Sequence, residues 1–326
     1  MSRKVIVRFQ AGRTLIELLV AIALGLLILL GVGGLYVTSQ QSTRAATNVA
    51  SADNTGQVAL SLVGSSVRRA GFSELAAAIS AGSGGGEDRR ASLAYQGPSM
   101  RGCSNAGFGQ NNPANACETA TAGAPDSLAI WFQAENALGA SQGGGATADC
   151  AGNVPGFTAV NVSVPGSLLV AQNLYYVDVV NRTLMCRGGT VNAPGAATPI
   201  LNGVEDLKVF YGFDGASYSA PNVPGNPAPL SVRTAAEMAT LAAPTPNLTA
   251  WDYVVSVTVC ILVRTDDASV SSQGTTATYQ PCPQTSRQAA GLDAIPVATS
   301  TDGRIRRAIV QTFSVRSATR PSPLAG

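Results

Sequence analysis

The residues of this 326-residue sequence whose chemistry is most readily inferred are six cysteines. All of them lie beyond residue 100, at Cys103, Cys117, Cys150, Cys186, Cys260 and Cys282. No two have the Cys-x-x-Cys spacing of a zinc site, and an even number of dispersed cysteines indicates disulfides formed in an oxidising compartment. Several connectivities are possible. We expect sequence neighbours to pair, as 103–117, 150–186 and 260–282; buried free thiols are the alternative.

Histidine is absent from the chain, which excludes Ser-His-Asp and Cys-His catalysis and histidine-ligated metal sites. Charged residues make up only 12% of the sequence and the formal net charge is +2, so bulk charge gives no argument for a nucleic-acid partner. The absence of histidine argues against a hydrolytic enzyme but does not exclude carboxylate chemistry. We expect no catalytic residue, no metal site and no cofactor, and the family resemblance described below implies a protein that is not an enzyme.

A single acid, Glu17, stands at the start of an apolar stretch. Four basic residues precede it: Arg3, Lys4, Arg8 and Arg13. Residues 18–37 carry no charge at all. A carboxylate inside hydrocarbon is costly and usually functional, so Glu17 is a candidate site residue.

Helical elements must position this acid. Residues 18–37 would span ~30 Å as a helix, about one bilayer core, and the preceding positive charges predict a cytoplasmic N-terminus with the rest exported. Beyond the membrane segment, small and apolar residues recur at three- and four-residue steps from Val49 to Val67. The sequence therefore predicts one helix from about Thr14 to about Arg69, ending at Gly71.

The stretch Gly12-Arg13-Thr14-Leu15-Ile16-Glu17, behind a charged leader, resembles the type IV prepilin signal. The resemblance implies a leader of residues 1–12, removed by the prepilin peptidase between Gly12 and Arg13, and N-methylation of Arg13. The family usually has phenylalanine where this chain has arginine. The alternative is an ordinary signal anchor whose glutamate reaches the membrane interface.

The same resemblance makes Glu17 the fifth residue of the mature protein. In a filament its carboxylate would meet the N-terminal ammonium group of a neighbouring subunit. An unpaired carboxylate in a low-dielectric bundle is strongly penalised, whereas a paired one fixes the axial register between subunits.

The remainder of the chain alternates strand patterns with long polar loops. The predicted strands are 127–133, 174–180, 183–187, 204–213, 252–264 and 308–316, with a short helix at 234–241. Strands without intervening helices favour an antiparallel sheet. The expected fold class is α+β: a helix over 13–70, with a transmembrane segment at 18–37, packed on a β-rich globular domain over 71–326.

Several segments resemble the PilW family of type IV minor pilins. They are "VRRAGF" at 67–72, "GVEDLKVFYGFD" at 203–214, Trp251 at the start of a long strand, and "GRIRRAIVQTFSVR" at 303–316. The J-type pseudopilin of type II secretion is the nearest relative by architecture. Residues 80–165 resemble nothing in either family.

Other charged residues have simpler interpretations. We expect Asp214 and the pair Asp266-Asp267 to lie in turns, and Glu205-Asp206 to be exposed at a strand start. A basic cluster comprises Arg304, Arg306 and Arg307, with Arg316 and Arg320 nearby. We interpret it as a solvated strand face; a phosphate-binding patch for DNA is the alternative.

The resemblance implies a minor pilin that primes assembly of a type IV pilus and sits near its tip. Its expected partners are other minor pilins and the major pilin through the N-terminal helix, the prepilin peptidase and inner-membrane lipid. We expect a single-pass inner-membrane protein with a periplasmic C-terminal domain, which later reaches the pilus tip at the cell surface. The alternatives are a J-type secretion pseudopilin, or a tip adhesin or DNA-uptake subunit with nucleic acid as partner.

Overall fold

The structure is a computed structural model of the chain. It describes residues 14–72, 99–109, 116–133, 149–152, 170–189, 194–214, 231–242, 249–268 and 276–315. The predicted leader and Arg13 lie outside these ranges, as does much of the region 80–165.

The predicted N-terminal helix is present as α1 (Leu15–Arg69), 55 residues long. Gly71, two residues beyond its end, has a φ of 65°, a left-handed conformation that glycine adopts without steric cost. The chain divides into two compact units, one up to Asn48 and one from Val49 onwards. The described part of the first unit is helix from Leu15; the second unit contains the rest of α1 and all the strands described below.

One sheet of the second unit is a five-stranded antiparallel meander, in the order β1-β2-β3-β4-β5. Its strands are β1 (Met100–Cys103), β2 (Ser127–Gln133), β3 (Val170–Asp178), β4 (Thr183–Gly189) and β5 (Pro194–Asn202). The turn between β3 and β4 is closed by Asp178, whose carboxylate accepts the backbone N–H groups of Val180 and Asn181. The Asn181 side-chain amide also donates to this carboxylate, at 2.7 Å, and this bond, followed by the backbone bonds, holds the pKa of Asp178 below its usual value.

A second antiparallel sheet has four strands in the order β11-β8-β6-β7. These are β6 (Val204–Phe213), β7 (Ser231–Thr234), β8 (Val254–Arg264) and β11 (Arg306–Ser314), while β9 (Ala277–Tyr279) pairs with β10 (Ala298–Ser300) in a separate ribbon. Short helices occur at α2 (Ala235–Thr240), a 3-10 turn (Ala250–Tyr253) and α3 (Ser286–Ala289). Trp251 of the 3-10 turn packs edge-on against the Tyr211 ring, with 4.9 Å between ring centroids.

The part of α1 from Val49 onwards packs on both sheets of its unit. Ser66 hydrogen-bonds the Tyr175 hydroxyl of β3 at 2.8 Å, and the Arg69 guanidinium lies 4.8 Å from the centre of the Phe132 ring of β2. On the other side, a side chain at Gly64 would overlap the Phe313 ring of β11. One hydrophobic core therefore contains residues of this helix and of both sheets. The buried side chains of α1 in it include Ala59, Leu60, Val63 and Val67.

The predicted α+β class, with a long apolar N-terminal helix and antiparallel strands, is confirmed. The predicted strands correspond to β2, β3, β4, β6, β8 and β11, and the short helix to α2. The division of these strands between two sheets did not follow from the pattern. Strands β1, β5, β7, β9 and β10 were not predicted.

Candidate functional site

The first unit presents an apolar helical surface that carries Glu17. Its large aliphatic side chains are exposed along the whole predicted transmembrane segment, from Leu18 at 55% to Val37 at 53%. By length and composition α1 is able to cross a membrane. Transfer of such a surface from water into lipid, or against other helices, lowers the free energy strongly.

Glu17 lies in the first turn of this helix and is exposed. Its backbone N–H donates to the Thr14 carbonyl at 3.0 Å, so the turn is already formed at that point. A carboxylate is favoured at a helix N-terminus, because the first N–H groups carry partial positive charge. The arrangement holds one negative charge at the end of an otherwise apolar surface. Gly12 and Arg13, the predicted cleavage residues, fall outside the described ranges.

The six cysteines form three disulfides in the pairs expected of sequence neighbours. These are Cys103–Cys117, Cys150–Cys186 and Cys260–Cys282, with Cα–Cα distances of 5.5, 6.0 and 5.8 Å. Each bond joins one strand to a loop segment: β1, β4 and β8 respectively. Each loop is therefore fixed to its own sheet, which limits the unfolded chain more than the folded one.

The prediction that Glu205 is exposed is wrong. Its side chain is 15% exposed, and both oxygens accept from Arg306, at 2.6 Å from Nε and 3.1 Å from Nη2. Arg264 and Arg182 approach the same carboxylate at 3.5 and 3.6 Å. The alternation along β6 could not show this, because the arginines come from three other segments of the chain.

Asp206, the neighbour of Glu205, is also partly buried, against expectation. Its pKa is raised to about 6. Burial is the main cause of the rise and the Asp126 carboxylate adds to it, whereas the nearby Lys208 ammonium opposes it. One of its carboxylate oxygens, Oδ1, is buried without a hydrogen-bond partner in the described residues. Such an atom disfavours the ionised form.

In the basic cluster of residues 304–307 the predicted solvated face holds for Arg307, whose side chain is 52% exposed, but not for Arg306, and each of the three arginines has a partner in the described part of the chain. Arg306 is 9% exposed and also pairs with Asp302 at 2.7 Å. Arg304 donates to the Thr265 carbonyl, and Arg307 pairs with Asp53 of α1 at 3.0 Å. The cluster thus ties β11 to its neighbours. Arg316 and Arg320 lie outside the described ranges.

Asp214 and the pair Asp266-Asp267 were predicted to lie in turns. Asp266 and Asp267 are exposed in a bend, as predicted. Asp214 directly follows β6 and is 3% exposed, and its backbone N–H donates to the Tyr253 carbonyl. The residues that would complete its predicted turn lie outside the described ranges. Within the described ranges, no three histidine, cysteine or acidic residues gather into a group that could hold a metal ion.

A buried polar group between the sheets was missed from the sequence. It consists of Lys208 on β6, Asp126 just before β2 and Asn105 just after β1, and it borders a cavity of about 250 Å³. Lys208 is 2% exposed and Asp126 is 6% exposed. The sequence did contain a signal for it: of the 21 lysines and arginines, only Lys4 and Lys208 are lysines.

Of the comparisons with known proteins, the match to a family model bears on the family that the sequence resembles. Among solved structures, a type IV-like pilin from Thermus thermophilus is similar over 61% of this chain and 82% of its own, at 15% identity and a TM-score of 0.29. No curated protein matches the chain. Residues 174–317, which run from β3 to the end of β11, match the family described as "Type IV Pilus-assembly protein W". The predicted resemblance to the PilW family is thereby confirmed over residues 174–317, a little less than half of the chain.

Proposed function

We propose that this protein is a minor pilin that primes assembly of a type IV pilus and sits near its tip. The observation that carries the proposal is the exposed apolar half of α1 with one carboxylate, Glu17, at its start. The family match over residues 174–317 supports it. The work of such a protein is assembly and not catalysis.

In this proposal the helix has two successive environments. Residues 18–37 first hold the protein in the inner membrane, with the N-terminus cytoplasmic and residues 71–326 in the periplasm. The peptidase then removes residues 1–12, leaving Arg13 with a free or methylated α-amino group. Partner pilins replace lipid around the same apolar side chains, so the surface is buried in both states.

Glu17 supplies the register of assembly in this account. A carboxylate that leaves the lipid interface for the centre of a helix bundle needs a cationic partner, and the N-terminal ammonium of the neighbouring subunit provides one. The side chain of Arg13 adds a second positive charge beside that ammonium. Insertion in the membrane requires only the apolar surface, whereas assembly requires the charge as well.

A deletion strain tests the proposal. We expect it to lose surface pili and twitching motility, and the wild-type gene to restore both. Glu17→Ala should enter the membrane at the wild-type level but fail to restore pili. Asp293→Ala is the control, because it removes a carboxylate from the surface of the second unit, where Asp293 is 43% exposed.

The other outcomes identify the alternatives. Intact pili with lost protein secretion would contradict the proposal and favour a secretion pseudopilin. Intact pili with lost adhesion or DNA uptake would favour a tip receptor. Restoration of pili by Glu17→Ala would refute the role of the carboxylate while leaving the deletion result standing.

A further inference from the structure

Lys208 is an unusual residue for its position. It is the only lysine beyond residue 4, and its side chain is 3% exposed on a central strand. Arginine cannot lose its proton in a protein, whereas a lysine amine can, and it then becomes a nucleophile. Every other cationic residue beyond residue 4 is an arginine. The one lysine stands at a buried position, where a positive charge is costly.

The atoms around the Lys208 amine form a reactive arrangement. Nζ donates to the side-chain oxygen of Asn105 at 2.6 Å and to the Ala124 carbonyl at 2.6 Å. Asp126 Oδ1 lies 3.5 Å from the same nitrogen. The amine therefore contacts the oxygen that is bonded to the Asn105 amide carbon, and a carboxyl group lies beside it.

The two reacting groups are also held in place by the backbone. The Asp126 carboxyl accepts the Asn105 backbone N–H at 2.8 Å and the Val209 backbone N–H at 3.0 Å. Its own N–H donates to the Leu207 carbonyl at 2.7 Å. Asp126 thus fixes both the segment that carries the amide and the strand that carries the amine.

We propose that Lys208 and Asn105 condense into an isopeptide bond, with Asp126 as the acid–base group. Lys208 Nζ gives one proton to the Asp126 carboxylate and forms a bond to Asn105 Cγ. Nζ then releases a second proton as the Cγ–Nδ2 bond breaks. The amide nitrogen leaves with the transferred proton as ammonia, which becomes ammonium in water. The ammonium form of lysine and the asparagine amide give the new amide and one ammonium ion, so charge and atoms balance and no oxidant or reductant is needed.

Position and environment both favour the step. Fixing an amine against a carbonyl replaces a slow bimolecular reaction by an intramolecular one. Burial raises the pKa of Asp126, although the Lys208 charge and two backbone N–H groups oppose the shift. A carboxyl with a raised pKa can take the amine proton and pass it to the leaving nitrogen. The cavity beside Asn105 gives the ammonia a path outwards.

The bond would join parts of the fold that the disulfides do not join. Asn105 follows β1 of the five-stranded sheet, and Lys208 lies on β6 of the four-stranded sheet. Each disulfide in the structure instead connects a strand to a loop segment. The cross-link would be the covalent tie between the two sheets in the described part of the chain. It does not depend on the proposed function.

Mass spectrometry of the full-length wild-type protein, unfolded and with its disulfides reduced, tests the proposal. We expect a mass lower by one ammonia than the sequence requires, no trypsin cleavage after Lys208, and a branched peptide joining Asn105 to Lys208. An amine-reactive reagent should not label Lys208. Full mass with a cleavable, reactive Lys208 would overturn the proposal.

Three variants and one internal control sharpen the result. Lys208→Arg, Asn105→Gly and Asp126→Asn should each restore the missing mass; glycine suits the Asn105 φ of 52°. Ring closure at Asn202-Gly203 also releases ammonia, but it leaves trypsin cleavage after Lys208 intact and gives a linear peptide. A mass loss of that kind alone would contradict the proposal, and the wild-type measurement stands even if a variant fails to fold.

Discussion

Whether a charged side chain in this protein is stabilised depends on which other segments of the chain surround it. Glu205 and Asp206 are adjacent in sequence and point into different environments. Glu205 meets three guanidinium groups, so its charge is needed. Asp206 has a buried oxygen without a partner among the described residues, so its charge is a cost.

Asp206→Asn should change how stability depends on pH. The folded-state pKa of about 6 lies above the reference value of 3.8, so the folded protein binds more protons than the unfolded chain between these values. Ionisation of Asp206 therefore lowers stability as pH rises from about 4 to about 6, by on the order of 2 kcal/mol. An amidated Lys208 would only raise this pKa further.

Urea unfolding of wild type and Asp206→Asn at several pH values measures this effect. The variant should gain on the wild type as pH rises through 6, and the difference should be flat above it. A difference that is constant from pH 4 to pH 7 would show that Asp206 does not titrate in this window.

Glu205→Gln should destabilise the protein at neutral pH. The Arg306 and Arg264 side chains are 9% and 15% exposed. Without the carboxylate, their buried positive charges lose an anionic partner. Removing one partner of a buried pair typically costs several kcal/mol, and we expect about 2–4 here because the site retains some solvent contact.

A surface ion pair gives the matched control for Glu205→Gln. Arg287 and Asp293 are 65% and 43% exposed, so Asp293→Asn should change the free energy of unfolding by less than about 0.5 kcal/mol. Equal effects of the two substitutions in denaturant unfolding would refute the distinction drawn from burial.

At the scale of elements, the helix–sheet contact depends on small residues of α1. The Cβ of an alanine at position 64 would overlap the Phe313 ring. Gly64→Ala should therefore lower the free energy of unfolding of the second unit by about 1–3 kcal/mol, although alanine is the better helix former.

Gly31→Ala is the control for Gly64→Ala, because its Cβ would meet nothing within 4 Å. Thermal unfolding of the full chain in detergent compares them, with loss of near-UV circular dichroism as the signal. An unchanged midpoint for Gly64→Ala would show that α1 and β11 do not pack as closely as described.

Elements with strong periodicity could be predicted from the sequence, and elements with weak patterns could not. β8 has branched apolar residues along its length, and α1 has an apolar stripe, so both were found near their observed bounds. β5, by contrast, reads "PGAATPILN"; proline and glycine disfavour strands, and proline is tolerated here because β5 is an edge strand. β9 and β10 are only three residues long each.

The candidate sites divide in the same way. Glu17 and the six cysteines were found because local sequence identifies them. The environments of Glu205, Asp206 and Lys208 depend on pairing between β6, β8 and β11 and on the segment before β2, which alternation along one strand does not encode. Only the rarity of lysine pointed to position 208.

At the scale of the whole molecule, the two units present different surfaces. The first is an exposed apolar helix with one charge, and the second is a disulfide-bonded domain with its hydrophobic residues inside. A membrane anchor that later packs inside a filament needs the exposed apolar helix. A domain outside the cytoplasm is stabilised by disulfides. This combination is what the proposed function uses.

The N-terminal peptide of this protein in sheared, purified pili tests the central claim most directly. The account predicts that mass spectrometry of that fraction detects the protein with Arg13 as its first residue. Absence of the protein from pili that are otherwise intact, or its presence there with residues 1–12 still attached, would contradict the account.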